Sequence, residues 1–248
     1  MQSGPGCVRD ISSPPPCYSP SLLRSRYSTL CCTTRDCAVR RLPGSLSENR
    51  FRGILELNQG THRPATLLVI DMQKAIDDPV WAAAGARNNP SAELCVAQLL
   101  SCWRAYRWPI IHIRHDSREP TSSFRPDGPG ALFKPEAVPL AGEDILSKST
   151  ANAFLSTDLE ALLRRRGAGA IVVAGVITNN SVEYTVCMAA ELGFAVTVVE
   201  DATFTFARID RRGRFWAAED VHALSLANLE QGGYAQVVST NSATRHTP

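Results

Sequence analysis

The chain has 248 residues, 44% of them hydrophobic, and a formal net charge of +2. That length and apolar content fit one large α/β domain with an appendage, or two small domains. No apolar stretch reaches the ~18 residues of a transmembrane helix, which argues against a membrane protein.

The charge is uneven. Residues 1–60 hold eight Arg against Asp10, Asp36, Glu48 and Glu56, a net of +4, while residues 61–248 hold 18 Lys and Arg against 20 Asp and Glu, a net of −2. The body is therefore mildly acidic, with no basic face to suggest nucleic acid. The run Arg164-Arg165-Arg166 reads as the solvated last turn of a helix, where the dipole favours cations.

Residues 1–62 carry no sustained hydrophobic period. Pro14-Pro15-Pro16, scattered Ser and Gly, and Arg-rich patches predict a disordered extension. The segment is rich in Arg and Ser and poor in acid, the composition of an organelle transit peptide. A plain disordered tail and an over-extended start of translation are the other readings. Residues 22–30 have room for a short amphipathic turn. The lack of a long apolar core argues against a secretory signal. Cys7, Cys17, Cys31, Cys32 and Cys37 lie in this segment, and only Cys95, Cys102 and Cys187 lie beyond it. Those three have neither metal-ligand nor disulfide-framework spacing, so the body reads as a reduced, cytoplasmic protein, with organelle import as the alternative.

Residues 63–248 form the predicted domain. Thr66-Leu67-Leu68-Val69-Ile70 is a continuous apolar run ending at Asp71, as expected of a central parallel strand buried on both faces. Residues 91–108 carry Leu94, Cys95, Gln98, Leu99, Cys102 and Tyr106 near helical spacing. Residues 109–114 are a second strand. Residues 115–147 form a long segment rich in Pro, Gly and charge, the kind of loop that is usually functional. A helix over 157–166, a strand over 170–174, a helix over 182–192, a strand over 195–199, a helix over 217–231 and a strand over 235–239 follow. Strands alternating with helices predict a parallel sheet covered on both faces. Ligands in such folds bind beyond the carboxyl ends of the strands.

Three polar features fall near those ends: Asp71, Lys148 and Ser181. An Asp, a Lys and a nucleophile meeting at a sheet edge suit acyl transfer. The Asp takes the nucleophile's proton, the Lys holds the Asp ionised, and backbone N–H groups receive the oxyanion. Each has a plainer reading. A strand-terminal Asp forms turns, a lone Lys is solvated, and a Ser opening a helix is commonly its N-cap.

The order Val69-Ile70-Asp71-Met72-Gln73, then Lys148 with Ala153-Phe154 and Thr157-Asp158-Leu159, then Gly175-Val176-Ile177-Thr178-Asn179-Asn180-Ser181-Val182-Glu183 resembles the isochorismatase-like hydrolases, also called the cysteine hydrolase family. The resemblance covers residues 64–240 and includes Glu200-Asp201-Ala202. It implies a Rossmann-like three-layer α/β/α sandwich with a six-stranded parallel sheet, a homo-oligomer, and hydrolysis of a small amide, carbamoyl or ureido-type C–N bond without a cofactor. By the family's motifs Asp71 and Lys148 match catalytic positions, and Ser181 stands where the hydrolases carry a nucleophilic Cys. The family's non-proline cis peptide falls between Val176 and Ile177, directing the Ile177 and Ser181 N–H groups into an oxyanion hole.

Two residues depart from the pattern. Serine is a far weaker acid than a thiol, and serine hydrolases normally use His as base. No matching His is evident, since His112 and His115 belong to the second strand and its end. Cys187, six residues beyond Ser181, faces elsewhere on the helix. Asn152 stands where many relatives have a small hydroxyl residue, which is expected to alter only loop packing. The metal-binding His residues of the nicotinamidase branch are missing after the second strand. His115 with Asp116 is a poor remnant, so no metal is expected. Gln73, Phe124, Arg125 and Phe133 are the candidate substrate-binding residues, with Arg125 attracting an anionic group. The readings are a C–N hydrolase, an isochorismatase-type vinyl-ether hydrolase in which Ser181 positions water or substrate, and a catalytically silent binding or scaffold protein.

Overall fold

β1 (Thr66–Ile70) is buried along its whole length because its side chains feed two cores. Leu67 and Val69 point into one hydrophobic cluster and Leu68 and Ile70 into the other, the period of two that a strand imposes. The computed structural model describes residues 64–245. The expectations for residues 1–62, including the transit peptide, the short amphipathic turn and the five N-terminal cysteines, lie outside the described residues.

Around β1 lie β2 (Ile110–His115), β3 (Asp144–Lys148), β4 (Ala170–Val176), β5 (Ala195–Phe204) and β8 (Gln236–Val238), all parallel, in the order β3-β2-β1-β4-β5-β8. A small antiparallel pair, β6 (Arg208–Ile209) and β7 (Phe215–Trp216), stands apart from the sheet. The helices are α1 (Ala92–Ala105), α2 (Leu159–Arg165), α3 (Glu183–Glu191), α4 (Ala218–Gln231) and α5 (Thr240–Arg245). Val96, Leu99, Leu100 and Trp103 of α1 and Ala243 of α5 pack on one face of the sheet. Leu159 and Leu163 of α2, Val186 and Ala189 of α3, and Leu226 and Leu229 of α4 pack on the other. This is the expected three-layer sandwich with a six-stranded parallel sheet. Among the described residues no helix is long and apolar enough to cross a membrane.

The structure differs from the sequence expectation in three places. Within the long segment 115–147, β3 begins at Asp144, and it forms one edge of the sheet. The inward stripe of α1 is Val96, Leu99, Leu100 and Trp103, while Leu94 and Tyr106 are exposed. The stripe is thus rotated by a residue, because Trp103 and the aliphatics cover the sheet better than the cysteines. β5 continues through an irregular register to Phe204. There Asp201 accepts from the Thr240 N–H and hydroxyl, both at 2.7 Å, and caps α5.

Sheet order places the site. The chain leaves β1 towards β2 and leaves its neighbour β4 towards β5, in opposite directions, and the crevice beyond the ends of β1 and β4 is the ligand position of such sheets. Gly175 makes the close approach there possible. Its φ is +119°, and a Cβ would lie 2.1 Å from the Ile70 carbonyl oxygen.

Candidate active site

Asp71 is the residue after β1. Its φ is +52°, a left-handed conformation that Asp adopts more readily than most residues. Its N–H donates to the Ile113 carbonyl at 2.9 Å. Lys148 ends β3, beside His115 at the end of β2, and its long side chain crosses the end of β2. Its Nζ donates to Asp71 Oδ2 at 2.7 Å, with both side chains buried. Asp71 Oδ1 is buried without a partner.

The same ammonium lies 3.1 Å from the Thr150 carbonyl, 3.3 Å from Ser181 Oγ and 3.4 Å from His115 Nδ1. An ammonium has three protons. Asp71 and Thr150 take two, and Ser181 and His115 compete for the third. Burial pushes the His115 pKa down and the Lys148 charge adds to that, so its imidazole is held neutral.

Ser181 sits in a tight turn, Thr178–Val182, between β4 and α3. The Val176–Ile177 peptide bond that leads into it is cis. The Ile177 carbonyl accepts from the N–H groups of Asn180 and Val182, at 3.1 and 3.3 Å.

These elements enclose a cavity of about 200 Å³ lined by Asp71, Ile76, Trp81, His115, Ser122, Phe124, Ala151, Val176, Ile177, Asn180 and Ser181. That is below the ~300–1,000 Å³ of drug-sized pockets. Trp81 closes one side. Its indole N–H reaches Ala75 O at 3.1 Å and Ser123 Oγ at 3.2 Å, and its ring meets Phe124 edge-on at 5.8 Å.

Asp71, Lys148, Ser181, Val176, Ile177 and Phe124 therefore come together. Gln73, Arg125 and Phe133 do not line the cavity. Gln73 is fully buried, and its amide joins the end of β2 to the long loop. Nε2 donates to His115 O and Ala131 O, and Oε1 accepts from the His115 N–H at 2.7 Å. Arg125 is exposed and paired with Asp127, so its charge is satisfied away from the site. Phe133 pairs its backbone with Gln73 and packs edge-on against His112. Asn152 accepts from the Phe154 N–H, a local turn contact. Cys187 packs against the core. Among the lining residues, Ile76, Trp81, Ser122 and Ala151 carry no sequence signal, and Asn180 lies in the motif around Ser181 without being singled out. His115 does carry one, its place at a strand's carboxyl end, yet the sequence reading discounts it.

The model of the isochorismatase domain matches residues 65–242. The chain belongs to the isochorismatase family. A crystal structure of an isochorismatase-family protein from Chromobacterium violaceum is 52% identical, with a TM-score of 0.70 over 75% of this chain and 94% of that one. The isochorismatase family protein YrdC of Bacillus subtilis is 34% identical over 71% of this chain and 91% of its own length. A maleamate amidohydrolase of Pseudomonas putida is 28% identical over 62% of this chain and 79% of its own. The protein is accordingly a hydrolase of the isochorismatase family.

A divalent ion does not suit the donors this family member carries. His115 Nδ1 faces the Lys148 ammonium, and Asp116 Oδ2 accepts from Arg114 at 2.9 Å. Among the described residues no group of three or more His, Cys, Asp or Glu side chains is placed to hold a metal.

Proposed function

We propose that this isochorismatase-family hydrolase cleaves a small amide, carbamoyl or ureido-type C–N bond. Asp71, Lys148 and Ser181 act at the reacting atoms. The observation that carries the reading is the state of Asp71. One oxygen is fixed by Lys148, and the other is buried, unpartnered and at the cavity. An acceptor in that state suits a proton arriving from a hydroxyl.

Ser181 Oγ attacks the carbonyl carbon while its proton passes to Asp71 Oδ1. The oxyanion is received by the Ile177 and Ser181 N–H groups. The C–N bond then breaks as Asp71 returns the proton to the leaving nitrogen. Water attacks the resulting ester, giving a proton to Asp71, and Asp71 passes that proton to the Ser181 oxygen as the ester C–O bond breaks and the acid leaves. The small cavity with Ile76, Trp81, Phe124 and Ile177 on its walls supports a small, partly apolar substrate. The amide chemistry named for the Pseudomonas putida relative supports the bond type. Among the described residues Cys95 and Cys187 form no disulfide, which supports a cytoplasmic setting. Exposed Val138, Leu140 and Ile145, on and just before edge strand β3, support a homo-oligomer.

A second reading keeps Asp71 as base and uses water directly, with Ser181 as its anchor. The Lys148 hydrogen bond to Ser181 Oγ favours it, because accepting from an ammonium draws electron density from that oxygen and makes it a poorer nucleophile. Both readings are tested by turnover of a panel of small amides, ureido acids and vinyl ethers. The expected result is C–N hydrolysis by wild type and less than a hundredth of it in Asp71→Asn. Full activity in Ser181→Ala refutes the covalent route, and full activity in Asp71→Asn refutes the site.

A further inference from the structure

The turn that carries Ser181 is closed by backbone hydrogen bonds, from the Asn180 and Val182 N–H groups to the Ile177 carbonyl and from the Glu183 N–H to the carbonyls of Asn180 and Thr178. No side chain caps it, and Asn179 inside it departs from helical geometry, with φ −84° and ψ 19°. Among the described residues, the side-chain hydrogen bond of Ser181 is the one with the Lys148 ammonium, at 3.3 Å. The position of its oxygen must therefore be set by what grips the residues on either side.

Two of those grips come from α4, on the side of the turn away from the cavity. His222 Nδ1 lies 2.8 Å from Thr178 Oγ1, with both residues buried. Ser225 Oγ lies 2.6 Å from Glu183 Oε2 and 3.4 Å from the Thr178 carbonyl. A hydroxyl has one proton, so it goes to Glu183. Thr178 opens the turn and Glu183 follows it, so the two contacts hold the segment at both ends. His222 and Ser225 are three residues apart and share one face of the helix. A third grip, Thr205 Oγ1 on Asn179 Oδ1 at 2.6 Å, comes from beyond β5. His222 Nε2 lies 3.4 Å from Asn89 Nδ2, whose two protons go to the carbonyls of Glu200 and Thr203 at 2.9 and 2.7 Å, so that approach is a contact and not a hydrogen bond.

We propose that His222 and Ser225 are positioning residues that hold Ser181 against Lys148 by clamping Thr178 and Glu183. The inference rests on the reading of Ser181 and Lys148 given above, and its test needs no substrate. Ser181→Cys puts a thiol at this position, where the Lys148 charge favours the thiolate and so speeds alkylation. The rate of iodoacetamide labelling at that position, followed by peptide mass spectrometry in the full chain, reports the thiolate fraction, which falls as the thiol moves away from Lys148. Labelling of Cys187 on α3 is the internal control for loosening of the helix.

In the Ser181→Cys background, His222→Leu and Ser225→Ala are each expected to slow labelling at position 181 at least fivefold at pH 7, with Cys187 unchanged. His222→Asn, whose amide falls where Nδ1 lies, restores the rate to within twofold. His222→Gln, whose amide falls near Nε2, does not. An unchanged or faster rate at position 181 overturns the proposal. So does a parallel rise at position 181 and Cys187, which would make both residues packing groups only. Lys148→Met in the same background separates the two claims. If it leaves labelling at position 181 unchanged, the reading of the site fails, whatever the α4 variants do.

Discussion

The buried Asp71–Lys148 pair makes a prediction that separates stability from activity. Lys148→Met removes the partner of Asp71 Oδ2 while Oδ1 already lacks one, leaving a carboxylate with no donor in a buried site. Breaking such a pair from one side costs ~3–5 kcal/mol. Lys148→Met belongs at the upper end. Asp71→Asn belongs at the lower end, because the ammonium keeps the Thr150 carbonyl at 3.1 Å and Asn tolerates the positive φ. Replacing both residues removes both charges together, and exchanges of that kind are close to neutral. The double variant is therefore expected within ~1–2 kcal/mol of wild type, a coupling of about 6–7 kcal/mol between the two sites. Equilibrium urea unfolding followed by tryptophan fluorescence reads this directly. With m near ~2 kcal/mol/M, Lys148→Met moves the midpoint down by about 2 M and the double variant restores most of it. All three variants lose turnover. Additive losses, with coupling below ~1 kcal/mol, would refute the view that the pair is desolvated and mutually dependent.

Two further outcomes follow from the structure. Gly175→Ala forces a Cβ to within 2.1 Å of the Ile70 carbonyl at a φ of +119°. A loss above ~4 kcal/mol, or no soluble protein, is expected, and a melting temperature within a few degrees of wild type contradicts the close approach. Acid stability is set by Glu93 and Glu143. Burial pushes both carboxyls up, but hydrogen bonds from Arg87 and Lys134 to Glu93, and from Arg104, the Leu140 N–H and His112 to Glu143, outweigh it and bring each to about 2 from 4.5. A lowered folded pKa stabilises fully above the unfolded value, and the gain is lost as pH falls from 4.5 towards 2. Each group contributes up to ~3 kcal/mol. Glu143→Gln is expected to lower the urea midpoint at pH 7 and to flatten the profile between pH 4.5 and 2; a profile parallel to wild type counts against the assignment.

What the sequence makes legible follows from how strongly a position is constrained. β1 and β4 are read directly, because strands buried on both faces admit only apolar residues. β3 is not, because an edge strand need bury only part of itself. Of Asp144 to Lys148 only Lys148 is fully buried, and its neighbours have the composition of a loop. The stripe of α1 is misread by one residue because Cys95 and Cys102, half-buried at its margin, carry the same spacing as the true face. The motif residues Asp71, Lys148 and Ser181 are legible by type and order. The walls are not. Trp81 and Ile76 come from a short helical stretch after β1, Phe124 and Ser122 from the long loop, and the packing of those segments depends on contacts distant in sequence. Gln73 shows the reverse pattern. A polar residue two positions after Asp71 reads as a ligand contact, yet its three hydrogen bonds are all to backbone.

Oxygen at position 181 changes the chemistry more than the geometry. In water a thiol of pKa ~8.5 lies ~4.6 units above a carboxylic acid, a gap of about 6 kcal/mol. A hydroxyl close to the ~15.7 of bulk water lies ~12 units above, or about 16 kcal/mol. An alkoxide formed in advance is too costly, and on the proposed covalent route the proton passes to Asp71 as the carbon–oxygen bond forms. A water molecule beside Asp71 faces the same acidity gap. What Ser181 has over water is position, because its oxygen is tethered and needs no capture from solvent. That advantage exists only while the turn is held in place, which ties the covalent route to the contacts that Thr178 and Glu183 make with α4. If those contacts are lost, serine and water become equivalent nucleophiles, and the activity that remains is expected to be the same with Ser181 or Ala at that position.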